Sequence, residues 1–199
     1  MPPAKRIQKE AILETAYELA KTEGLEMLNA RRIAKELNCS TQPIYHNFDT
    51  MEELKREVYG RIYQTYTSYV QKGAREEKAY LGMGLAYIRF AKDYPNFFQA
   101  LFMKESGQLP LDFLQGDVTG KDVLKQGQLF SGLNEEQGRA FHLKVWIFTH
   151  GLATLAATNT VRLTNREIRE LLASTTRELL AGFLEAAGEQ KPQENNKRE

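Results

Sequence analysis

An all-α architecture of about nine helices is predicted by three features of this 199-residue chain. Nearly every apolar segment repeats with helical spacing, several of them open on helix-start signals, and no stretch sustains strand alternation between hairpin turns. The first helix, about residues 4 to 23, sets Ile12, Ala16, Leu19 and Ala20 on one stripe and Glu10, Glu14 and Glu18 on the solvent side. Gly24 can end it in the left-handed cap conformation. Asn29 is the N-cap of a short helix at 30 to 37, Asn38 supplies a tight turn, and Ser40 caps a third helix at 41 to 47. Thr50 with Glu53 is a capping-box pattern that opens a long fourth helix to about residue 72.

The remaining helices are expected near 76 to 94, 96 to 104, 121 to 131, 134 to 158 and 164 to 187. Capping-box spacings start the last two, at Asn134 with Gln137 and at Thr164 with Glu167. Gly107, Pro110, Gly116 and Gly120 mark residues 105 to 120 as a loop. Residues 188 to 199 lack apolar anchors and are expected to be disordered. The resulting division is an N-terminal unit at 1 to 49, a larger helical unit at 50 to 187, and the tail.

Composition narrows the function. At 42% hydrophobic residues the chain can bury an ordinary core. Its 27 Lys and Arg against 26 Asp and Glu give no general argument for nucleic acid, so any such argument must rest on placement. Cys39 is the single cysteine, which rules out a disulfide or thiolate cluster within one chain and suits a reducing compartment. The segment MPPAKRIQKE has no apolar core of a signal peptide and no apolar run is long enough to span a bilayer, so a cytoplasmic protein is expected.

Two short capped helices joined by a tight turn, with a longer helix in front, have the layout of a three-helix DNA-binding unit. In the third helix Ile44 and Phe48 can face the core while Thr41, Gln42, Tyr45 and His46 share the opposite side. The N-terminal residues of such a helix meet base edges in the major groove. Gln can pair with adenine in bidentate fashion and a Thr methyl can touch thymine, so Thr41 and Gln42 are the expected base readers. Tyr45 and His46, a turn later, suit phosphate contacts, and Ser40 belongs to the same surface. Residues 1 to 60 hold nine cations, Lys5, Arg6, Lys9, Lys21, Arg31, Arg32, Lys35, Lys55 and Arg56, against ten acids. Of these, Lys5 and Arg6 before the first helix, Arg31 and Arg32 at the start of the second, and Lys55 at the start of the fourth could border the backbone.

From Ile12 through Leu54, with Gly24, Ile33, Ala34, Leu37, Ser40, Ile44, Tyr45, Phe48, Glu53 and Leu54 at matching positions, the stretch resembles the N-terminal domain of the tetracycline-repressor (TetR) family. The resemblance implies a DNA-binding regulator released from a pseudo-palindromic operator by a small effector. It also matches Tyr45 to the family's phosphate-contacting tyrosine and Lys55 to its lysine at the start of the fourth helix. Asn47 and Met51 depart from the family's usual histidine and lysine.

The last two helices carry apolar residues on more than one side. Phe141, Leu143, Val145, Trp146, Ile147, Phe148, Leu152 and Leu155 wrap most of the eighth. The ninth has one stripe of Ile168, Leu172, Thr175, Leu179 and Phe183 and another of Leu171, Leu180 and Leu184. The resemblance implies a homodimer through these two helices, and a charge at Leu172 or Leu179 is the expected way to probe it. Trp146, His150 and Gly151 form a Trp-x-x-x-His-Gly pattern similar to a Trp-His-Gly (WHG) subtype of the family's C-terminal domain. An effector site is accordingly expected at Trp146, His150, Tyr87, Phe90, Phe98 and Phe102, with bulk at Gly151 entering it. No cofactor or metal is required. An enzyme would have to use His142 and His150, but no carboxylate stands at an offset that completes a metal or acid–base set. A helical dimeric interaction module without DNA binding is the other alternative, motivated by the near-neutral N-terminal unit.

Overall fold

A computed structural model describes residues 7–103 and 132–189. Among them are eight α-helices, one 3₁₀ turn and no strand. The helices are α1 (Lys9–Glu23), α2 (Ala30–Glu36), α3 (Gln42–Asn47), α4 (Met51–Gly73), α5 (Ala79–Asp93), α6 (Pro95–Phe102), α7 (Glu135–Ala157) and α8 (Asn165–Glu189). The 3₁₀ turn, Leu25–Met27, lies between α1 and α2. The expected arm at Lys5 and Arg6, the loop at 105 to 120 and the helix at 121 to 131 lie outside the described residues. So do residues 190 to 199, whereas α8 continues through Glu189, two residues into the expected tail.

Local chemistry sets most helix starts. Asn29 accepts a hydrogen bond from the Arg32 amide at 2.9 Å, one of the first-turn donors that a helix cannot satisfy itself. At α4 the Glu53 amide donates to Thr50 Oγ1 at 3.1 Å, but the Glu53 carboxylate reaches back to the amide of Asp49, at 2.8 Å, one residue earlier than a capping box requires. The capping box at Asn134 and Gln137 is complete, and Thr164 and Glu167 exchange bonds in both directions. Two expectations are corrected here. Helix α1 starts at Lys9 rather than near residue 4, and α3 is flanked by Thr41, not Ser40, with no side-chain cap. Pro43 in its first turn lacks the amide hydrogen that would need one, and its fixed φ suits the helix start. Gly24 ends α1 at φ 96° and ψ 150°, outside the left-handed helical region and open only to glycine.

The described residues form two compact units, drawn from Met1–Tyr69 with Arg89–Gly107 and from Val70–Ile88 with Gln108–Glu199. In the first, Ile12, Ala16 and Ala20 of α1, Ile33 of α2, Ile44 and Phe48 around α3, and Leu54, Val58 and Ile62 of α4 are buried together with Phe97 and Phe98 of α6. Tyr17 donates to or accepts from Thr65 at 2.8 Å, tying α1 to α4, and Asn96 donates to the Lys21 carbonyl at 3.0 Å, tying α6 to α1.

In the second unit α7 and α8 pack on each other. Phe141, Val145, Thr149 and Leu152 form the buried stripe of α7, and Ile168 and Leu172 that of α8. Gly73 and Gly82 let the end of α4 touch the start of α5, since a Cβ on either would land on the other's carbonyl oxygen. Leu143 and Ile147, 39% and 57% exposed, lie with Gly151 on the side of α7 opposite its buried stripe. The second stripe read on α8 does not exist as one surface: Leu171 and Leu184 are 13 positions apart, which puts them about 140° apart around the axis.

Candidate nucleic-acid interface and sensor residues

The 3.6-residue repeat of α3 places Ile44 and Phe48 in the core at 1% and 2% exposure, which turns Gln42, Tyr45 and His46 outward. Tyr45 is 57% exposed, a large aromatic side chain turned toward solvent. Thr41 is half-buried and Ser40 exposed just before the helix. A left-handed Asn38, φ 51°, makes the turn that directs α3 away from α2, and the Cys39 amide closes it on the Ala34 carbonyl at 3.0 Å.

The cations around this face differ in how much of their charge is free to act. Arg32 donates through Nε and Nη2 to Glu23, at 3.0 Å and 2.6 Å to one carboxylate oxygen, and through Nη1 to Glu36 at 2.8 Å. This fork holds the Glu23 carboxyl below its usual range. Arg31 beside it is exposed and has no ion-pair partner among the described residues. Of the two arginines at the start of α2, Arg31 is therefore the one with charge to offer a phosphate. Lys55 donates to the Glu26 carbonyl at 3.3 Å and lies 3.8 Å from its carboxylate, spanning from the first turn of α4 to the 3₁₀ turn.

Asn47, noted in the sequence only as a departure, has a structural task. Its amide nitrogen donates to the Pro43 carbonyl at 2.7 Å and to the Ile7 carbonyl at 3.4 Å, joining the end of α3 to the chain entering α1. Lys9, in the first turn of α1, lies 4.8 Å over the Phe48 ring and pairs with Glu57 at 2.5 Å. An Asn in the last turn of a short polar helix was the available signal for such a tie.

The six expected effector residues are divided between the units. Phe90, Phe98 and Phe102 belong to the first, where Tyr66 meets Phe90 edge-on at 5.4 Å and Phe102 at 5.1 Å, and Phe98 meets Phe102 at 5.3 Å. Tyr87, Trp146 and His150 belong to the second. Tyr87 shares a 2.9 Å hydrogen bond with His150 Nδ1, and the Trp146 indole stacks on the His150 ring at 5.1 Å and 18°. A second pair, Tyr80 with His142 Nδ1 at 3.0 Å, repeats this arrangement earlier on the same two helices, which therefore run parallel. Burial lowers both imidazoles and raises both phenols from their usual values, so all four groups are neutral near pH 7. The two histidines are thus occupied by tyrosines. Gly151 is exposed and about 140° around α7 from Trp146, so bulk there does not enter the Trp146 shoulder, contrary to expectation.

The family model for bacterial regulatory proteins of the tetR family matches residues 12–58. An uncharacterised HTH-type transcriptional regulator of Mycobacterium tuberculosis is 26% identical over 159 residues, 78% of this chain and 72% of that protein. Another, from Bacillus subtilis, is 22% identical over 107 residues, 52% of this chain and 56% of its own length. A solved structure from Shewanella sp. PV-4, assigned to the tetR family of transcription regulators, superposes with a TM-score of 0.55 at 22% identity. That alignment covers 91% of this chain and 98% of the other, and shows a shared fold.

Proposed function

We propose that this chain is a DNA-binding transcriptional regulator of the tetR type, a homodimeric repressor released from a pseudo-palindromic operator by a small, largely apolar effector; the family-model match over residues 12–58 and the regulator relatives support this reading. The DNA reading is carried by α3, whose core residues Ile44 and Phe48 hold Gln42, Tyr45 and His46 outward. In this reading Thr41 and Gln42 contact base edges, while Ser40, Tyr45, His46, Arg31 and Lys55 contact the phosphate backbone. Residues 1 to 49 do the reading and residues 50 to 187 hold effector and dimer. Among the described residues no helix is long and apolar enough to cross a membrane; the proposed place of action, on DNA, is the cytoplasm. The protein acts by binding and not by catalysis.

The dimer reading is supported by Leu143, Ile147 and Gly151, a partly exposed apolar stripe on the side of α7 away from its buried residues. A two-fold dimer carries two copies of α3, and paired recognition helices read half-sites about 34 to 36 Å apart, which is why the proposed operator is pseudo-palindromic. The effector reading is carried by Tyr87, Trp146 and His150. Release requires the effector to bind two states with different affinity, and α4, unbroken from Met51 to Gly73, is the element assigned to carry that difference.

Fragments selected from genomic DNA supply the operator for the test. At matched salt Gln42→Ala should cost about 1 to 3 kcal/mol at one base position and relax preference there. Lys55→Ala should weaken all sequences alike and lower the salt slope by about one. Unchanged base preferences in Gln42→Ala would show that another residue is the reader.

A further inference from the structure

We propose that the effector is a neutral molecule carrying a hydrogen-bond acceptor, and that the Nε1–H of Trp146 takes that acceptor beside the Tyr87–His150 pair. This deepens the effector reading and rests on it. Among the described residues Trp146 Nε1 is the one buried side-chain nitrogen or oxygen with no hydrogen-bond partner. The polar groups around it are served: Tyr87 and His150 share a bond at 2.9 Å, Tyr80 and His142 at 3.0 Å, and Thr149 donates to the Val145 carbonyl at 2.7 Å. Folded proteins rarely leave a buried donor unmade, because the lost bond to water is not replaced.

The chemistry of the missing partner follows from the donor. Indole is a donor only, so its complement is an acceptor such as a carbonyl or ether oxygen. The stack on His150 holds the indole plane, so the N–H points in a fixed direction before any ligand arrives. The neighbouring imidazole and phenol are neutral, so neither supplies a charge to offset the desolvation of a charged ligand group beside them. A neutral acceptor on an otherwise apolar body fits both conditions.

Trp146 is the chain's single tryptophan, so the full-length protein has one indole N–H signal in a proton–nitrogen correlation spectrum. Three probes of one skeleton separate the chemistries: acetophenone, ethylbenzene and the cationic α-methylbenzylamine. Acetophenone should move the indole proton downfield, ethylbenzene should move amides of α5 and α7 without that downfield shift, and the amine should move neither. Equal responses to acetophenone and ethylbenzene would leave an apolar effector site standing and remove the acceptor. No response to any probe would count against the effector reading itself, and the inference would fall with it.

A measurement without ligand completes the test. Replacing the indole by its sulfur isostere, benzothienylalanine, removes only the N–H. The melting temperature should stay the same or rise, and acetophenone affinity should fall about fivefold while ethylbenzene affinity holds. A drop in melting temperature of about 3 °C or more would mean that the N–H already has a partner, a water or the second subunit, and would overturn the proposal.

Discussion

Ile147→Asp tests the proposed dimer separately from the subunit core, because Ile147 lies on the side of α7 opposite its buried stripe. Ile147 is 57% exposed in the single chain, so about that share of its side chain remains to be buried by a partner. Full burial of such a side chain is worth about 1.5 to 3 kcal/mol, so the remaining share is about 0.9 to 1.7 kcal/mol. The contact occurs twice across a two-fold axis, giving about 2 to 3.5 kcal/mol, or a roughly 30- to 300-fold weaker dimer before any penalty for the carboxylate. Sedimentation velocity over a concentration series measures that constant, and thermal unfolding checks that the subunit stays folded. Leu172→Asp serves as the contrast: at 2% exposure it is core, and a charge there should unfold the subunit itself, beyond any loss of dimer. Leu172 is therefore a poor probe of the interface, although its apolar spacing alone made it a candidate. A wild-type monomer at micromolar concentration, or an Ile147→Asp dimer within about threefold of wild type, would refute the reasoning.

The other expectations concern the second unit. Gly151→Ala adds a methyl in open space on a helix, so subunit stability should rise by about 0.5 to 1 kcal/mol in urea titration while dimer affinity falls; an unchanged dimer affinity would remove Gly151 from the interface. Gly84→Ala would bring its Cβ to 2.8 Å from Leu172 Cδ2, and Leu172→Ala alone should cost about 3 to 5 kcal/mol. The double variant should recover about 1 to 2 kcal/mol of the sum, and additivity within about 0.5 kcal/mol would show that the two sites do not meet. Because burial lowers the His142 and His150 pKa values, the unfolded chain takes up their protons first. Stability contributed by their neutral forms is complete above about pH 6.5 and declines as pH falls below it. The slope is at most about 1.4 kcal/mol per pH unit for His142 and less for the better-solvated His150. A His142→Phe variant with the same slope in denaturation curves between pH 7 and pH 5 would rule out that source.

The recognition unit was legible in the sequence because its determinants are local. Asn29, Asn38, Pro43 and the spacing of Ile44 and Phe48 act within a few residues of themselves, through capping, turn geometry and helical repeat. The outward set Gln42, Tyr45 and His46 follows once those two core residues are placed. Charge was less legible, since formal counts do not say which cations are neutralised. Arg31 and Arg32 are adjacent in sequence, yet Arg32 is held by Glu23, nine residues away, and Arg31 is left exposed. Lys55 reaches Glu26 across 29 positions, a tie that no periodicity reports.

Apolar periodicity determined that α7 and α8 each have several apolar sides, and stopped there. A helical repeat fixes where side chains stand around their own axis, while the neighbour that covers each side comes from a segment far along the chain. Packing among α5, α7 and α8 decided that Phe141, Val145 and Leu172 are core and that Leu143 and Ile147 face outward. It also set Tyr87 against His150 across 63 positions and left the Trp146 N–H buried without a partner. Caps, turns and repeats are short-range energies written into consecutive residues, whereas the choice of buried face and the satisfaction of buried polar atoms are decided by which distant surfaces meet.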